Sequence, residues 1–137
     1  MNKLLLTLML ALVSTSAMAE WTWAVEDAGV GITVYVDRTS ISKTGNIVKI
    51  LSLTDFKTVQ GKAKSRFSSQ KEQDEYDCKD GKIRILTSSK YSKNMGAGEV
   101  VFSDSVPSKW MPVAPGSANE VLWEIACGKQ LLPPIFK

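Results

Sequence analysis

Cys78 and Cys127 are the only cysteines in a chain of 137 residues, and their surroundings restrict the fold more than any other feature. The chain opens with Lys3, an apolar run from Leu4 to Val13, and the small-x-small triplet Ala17-Met18-Ala19. That is the pattern of a secretory signal peptide over residues 1–19, cleaved after Ala19 and too short to span a bilayer. An exported chain folds in an oxidising compartment, where two cysteines pair most simply as one disulfide. A metal-binding or redox-active pair would want C-x-x-C spacing or histidine neighbours, and neither is present. No cysteine follows the cleavage site to take a lipid anchor, so the expected location is the periplasm or the medium.

The two half-cystines sit on different kinds of structure. Asp80-Gly81 is a hairpin signal flanked by strand formers. With those two residues as the turn, Cys78 opposes Ile83, Tyr76 opposes Ile85, and Asp77 opposes Arg84. One face of that hairpin is then apolar and carries the cysteine, while the other carries an ion pair. Cys127 ends the chain's helical pattern. Ser117 is a predicted N-cap with Glu120 three residues on, Pro115-Gly116 breaks the chain before it, and Gly128 is placed at C′. Ala118, Val121, Leu122, Ile125 and Ala126 recur between them at helical spacing. The expected fold is α+β: a single antiparallel β-sheet with a C-terminal α-helix packed on one face and tethered by a disulfide. Residues 20–137 are expected to form one domain.

Other segments alternate as strands. Trp21, Trp23 and Val25 share one face, as do Ile32, Val34 and Val36. A turn centred on Ala28-Gly29 pairs Val25 with Ile32, Trp23 with Val34, and Trp21 with Val36. In the run Ile47 to Phe56, Ile47, Leu51 and Leu53 share a face with Lys49 and Asp55, and Val48 and Ile50 take the other, so both faces are expected to be partly covered. A further strand is predicted over Glu99 to Ser103. The acidic run Glu72 to Asp80 lacks calcium-loop spacing and is expected to be a solvated or salt-bridged surface strand. The tail Leu131 to Phe136 is apolar but interrupted by Pro133-Pro134. It is expected to pack on its own sheet or on a second copy of the chain, which would make a homodimer.

Several function classes drop out early. There is no histidine, so the commonest metal ligand and general base are missing, along with every Ser-His or Cys-His nucleophile. Seventeen Lys and Arg against fourteen Asp and Glu give a net charge of +3, too mild for a nucleic-acid partner. The fragments Ser68-Ser69-Gln70-Lys71 and Lys43-Thr44-Gly45 match S-x-x-K and K-T-G in the wrong order, in a chain too small for the serine enzymes that use them. No catalytic, cofactor-binding or metal-ligating residue emerges. The stretch Lys57 to Lys71 carries Lys57, Lys62, Lys64, Arg66 and Lys71 with no acid among them. It is either a solvated face or a surface for an anionic partner.

In order along the chain stand a tryptophan strand, Tyr35-Val36-Asp37, Ser40-Ile41, Glu75-Tyr76-Asp77-Cys78, Lys82-Ile83-Arg84 and Tyr91-Ser92. Met95-Gly96-Ala97-Gly98, Trp110-Met111-Pro112-Val113, Pro115-Gly116-Ser117 and Cys127 complete the series. This ordered set resembles the surface-adhesin protein E family of Gram-negative bacteria across essentially the whole mature chain. The resemblance implies an antiparallel sheet with a disulfide-tethered C-terminal helix and brings no catalytic residues. It also implies binding of host extracellular-matrix or serum proteins, the property of the family's best-known member, which binds haem as well. Without histidine, haem would have Tyr, Met or no axial ligand here, and no cofactor is expected. The sequence therefore reads as an exported, non-enzymatic binding module for protein or anionic partners, glycans included. The alternative is a periplasmic structural or stress-related domain.

Overall fold

A computed structural model describes residues 20–130 and 132. The expected signal peptide, and all of the tail but Leu132, lie outside those residues. Leu132 is partly buried against the core.

The described chain builds one antiparallel sheet from β1 (Trp21–Asp27), β2 (Ile32–Asp37), β3 (Ser42–Thr44), β4 (Ile47–Gln60), β5 (Phe67–Asp77), β6 (Lys82–Tyr91), β7 (Val100–Asp104) and β8 (Met111–Pro112). The order across the sheet is β1-β2-β4-β5-β6-β7, with β3 beside β4 and β8 beside β6. Helix α1 (Ala118–Ala126) packs on one face.

The helix forms where its local signals place it. Ser117 Oγ accepts from the backbone N–H of Glu120, and Glu120 Oε2 accepts from that of Gly116, at 3.3 Å each. At the other end Gly128 takes φ 72°, the Gly128 N–H donates to the Ile125 carbonyl, and the Lys129 N–H donates to that of Glu124. This is a Schellman closure, which a left-handed glycine permits. Leu122 and Ile125 then bury against Val36, Val48, Ile50, Tyr76 and Ile83 of the sheet, each worth about 2 kcal/mol. Cys78 and Cys127 form the disulfide, their Cα atoms 5.6 Å apart.

The registers of two hairpins differ from those predicted, in the same way. Asp77 pairs with Lys82, Tyr76 with Ile83 and Glu75 with Arg84, around a four-residue turn. The cause is Asp77, whose Oδ1 accepts from the N–H groups of Lys79 and Asp80 while its carbonyl accepts from Gly81. Asp27 repeats the arrangement with Val30 and Gly31, so Asp27 pairs with Ile32 and Val25 with Val34. In both turns an aspartate folds back on its own backbone and a glycine four residues later takes the left-handed conformation. A slip of two residues keeps Cys78, Tyr76, Ile83 and Ile85 on one face but moves the ion pair from Asp77 to Glu75, whose Oε1 lies 2.8 Å from Arg84 Nη2.

A second correction concerns β1. A bulge between Trp23 and Val25 puts Ala24 in the core and turns Trp23 to the opposite face beside Tyr35, 47% exposed. The acidic run is likewise not all solvated. Glu72 and Asp74 point to the helix face, and Asp74 is 3% exposed. On the far face, Leu53 is fully buried beneath the turn Asn94–Gly96. Asp55 and Ser69, neighbours in register, hold that turn down. Asp55 Oδ1 accepts from the side chain of Asn94 and the N–H of Met95, while Ser69 Oγ donates to the Lys93 carbonyl and accepts from the Gly96 N–H.

Candidate functional site

The basic stretch does not remain one surface once the chain folds. β4 runs through Lys57 to Gln60 and β5 begins at Phe67, leaving only Gly61 to Arg66 as loop. Lys57 pairs with Glu26 across the neighbouring hairpin at 2.8 Å. Lys71 lies on the far face with its ammonium 4.9 Å from the Tyr91 ring centre and 5.7 Å from that of Trp21. The turn above it is so close that a Cβ on Gly96 would stand 2.5 Å from Lys71 Cε. Lys57 is thus ion-paired at the surface and Lys71 is stacked on aromatic rings, and neither joins the loop charges.

Lys62, Lys64 and Arg66 stay together at the β4–β5 loop, all exposed. Among the described residues none of the three makes an ion pair. Their position follows from the loop's backbone. Gly61 takes φ 75°, and a Cβ there would meet the Ser65 carbonyl oxygen at 2.6 Å. The Ser65 N–H and hydroxyl both donate to the Lys62 carbonyl, closing the turn. Three unpaired positive charges on a short, internally bonded loop raise the local potential toward anions.

An aromatic cluster adjoins this loop. Phe67 packs edge-on against Phe56, ring centres 5.4 Å apart. Lys90 of β6 places its ammonium 4.6 Å from the Phe67 ring centre and 5.1 Å from that of Phe102 on β7. Sequence reasoning missed Lys90 and Phe102, because nothing local shows that β7 pairs Phe102 with Lys90.

A carboxylate pair lies deeper on the helix face. Burial, then the nearby charge of Glu72, pushes Asp74 up to about 8, against a hydrogen bond from Ser52 Oγ. Burial raises Glu72 as well, and it raises the Tyr76 hydroxyl well above its usual range. Among the described residues neither Asp74 Oδ1 nor the Tyr76 hydroxyl makes a hydrogen bond.

Solved structures with the same architecture exist. The chain aligns with crystal form II of Haemophilus influenzae protein E at a TM-score of 0.62 and 14% identity, covering 84% of this chain and 92% of that one. A second Haemophilus influenzae protein E structure gives 0.60 and 14%, covering 84% and 89%. Protein E from non-typeable Haemophilus influenzae gives 0.51 and 15%, covering 83% and 79%. At such identities the likeness establishes the fold alone. No curated protein matches the sequence. The sequence model of the surface-adhesin protein E family matches residues 21–128, which takes in every strand of the described sheet and the helix. The chain therefore belongs to the surface-adhesin protein E family.

Proposed function

We propose that the protein is an exported, non-enzymatic binding module, and that its β4–β5 loop engages acidic surfaces of host extracellular-matrix or serum proteins, or anionic glycans. The observation carrying this reading is the exposed trio Lys62, Lys64 and Arg66, free of ion pairs among the described residues, on a loop shaped by Gly61. Membership of an adhesin family supports it. On this reading residues 20–137 act as one module after removal of residues 1–19.

Capture of matrix and serum proteins by residues 20–137, compared at low and high salt, tests the reading. Long-range attraction between exposed charges is screened as ionic strength rises. Binding should weaken with salt, and Lys62→Glu with Lys64→Glu should slow association about tenfold or more while the melting temperature holds. Binding that ignores both salt and the charge reversal would return the loop to a solvated connection. Protease treatment of intact cells separates surface display, where the protein is cut, from periplasmic residence, where it is spared.

A further inference from the structure

The outer edge of β7 is the feature that the loop charges alone do not explain. β7 ends the strand order, and no strand covers its outer side among the described residues. Border strands normally discourage pairing with lysine, proline or a covering segment. The β7 sequence, Val-Val-Phe-Ser-Asp, has neither lysine nor proline; a bulge against Lys90 and Tyr91 turns Val100 and Phe102 to opposite faces, and both remain exposed, by 55% and 48%. Lys90, the register partner of Phe102, lies on the same face with its ammonium 5.1 Å from the Phe102 ring centre. The turn Ala63–Ser65 of the β4–β5 loop lies against β7, bringing Lys62, Lys64 and Arg66 beside that edge. Val100 stands at the loop end of the strand. Within the strand the only acid, Asp104, stands at the other end, where its carboxylate accepts from the Val106 N–H, and the exposed Glu99 precedes Val100.

We propose that β7 accepts an extended acidic segment of a partner protein as an added strand, anchored on Phe102 and Val100 and drawn in by the three loop cations. Main-chain hydrogen bonds supply affinity in this mode, and alternate side chains supply selection. The inference rests on the proposed function and adds how the partner is held. The charge layout also selects the occupant. An antiparallel second copy of β7 would set a single Asp104 against the three loop cations and bring three more cations of its own, whereas a segment with several acids balances the loop.

The test uses residues 20–137 and a labelled short synthetic peptide of alternating Glu and Val. One control peptide has Gln for every Glu; another has a central Pro that removes a main-chain donor. The Glu-Val peptide should bind, with the Pro control roughly tenfold or more weaker and the Gln control slower to associate. Phe102→Thr, which keeps a strand former at an exposed site, should weaken binding by about tenfold. In the unaltered protein, amide exchange should slow within residues 100–104 when peptide is present. Equal binding of the Pro control, slowed exchange elsewhere than β7, or a dimer through β7 in the free protein would overturn the proposal. Salt-sensitive heparin binding that Lys62→Glu with Lys64→Glu abolishes, with no peptide binding, would overturn strand addition while leaving the proposed function intact.

Discussion

Glu72 and Asp74 are two residues apart on β5, so both point toward the helix face, where water is scarce and the carboxylates repel each other. The folded chain therefore holds a proton on Asp74 up to about pH 8, whereas the unfolded chain releases it near the ordinary value of 3.8. Between those values the unfolded state binds fewer protons, so stability falls as pH rises. The stability that Asp74 contributes is fully present below about pH 4 and is lost progressively up to about pH 8, and Glu72, raised as well, adds to the same slope. Asp74→Asn keeps the shape of the protonated acid without the charge. It should raise stability at pH 8 by about 1–3 kcal/mol and flatten the pH dependence. Chemical denaturation of both proteins at pH 5 and pH 8 checks this; a variant less stable than wild type at pH 8 would show that the acid is ionised in the folded chain.

At the scale of elements, the turns decide where side chains end up. Gly61 and Gly45 both take positive φ, but a Cβ on Gly45 meets nothing within 4 Å, whereas one on Gly61 meets a backbone oxygen. Gly45→Ala should cost about 1 kcal/mol for the left-handed conformation alone. Gly61→Ala should cost more and displace the loop cations, so thermal melts should rank the two and only the second should weaken binding. The same contrast explains what could be foreseen. Ser117, Glu120 and Gly128 act within their own helix, and that helix was legible residue by residue, as was the cysteine pairing that locks it. Asp27 and Asp77 also act locally, but as Asp-x-x-x-Gly turns rather than the two-residue turn that Asp80-Gly81 suggests. The faces of the Asp77 hairpin were therefore right and both registers two residues off, while in the Asp27 hairpin the bulge also turned Trp23 to the other face. The bulge at Ala24 and the stacking of Lys90 on Phe102 depend on irregular registers between strands, and the packing of Lys71 under Gly96 joins β5 to a turn beyond β6. No local pattern carries them, and so only three of the five suspected cations stay together.

At the scale of the molecule, the disulfide spans 49 residues and joins the β5–β6 turn to the last turn of the helix. Opening a loop of that size in the unfolded chain is worth about 4 kcal/mol by a chain-entropy argument. The indole N–H of Trp123 adds a hydrogen bond to the Asp77 carbonyl at the same end of the sheet, at 2.9 Å. Cys78→Ser should therefore lower the free energy of unfolding by about 4 kcal/mol, while the fraction that remains folded binds through the β4–β5 loop as before. Urea titration and binding measured on the same sample read both quantities; a loss of affinity matching the loss of stability would mean that the two ends communicate. The 11 residues of β5 separate the staple from the loop by about 35 Å. Mutational drift at Lys62, Lys64 and Arg66 is thus decoupled from the residues that keep the chain folded, and the loop can change its charge without rebuilding the scaffold beneath it.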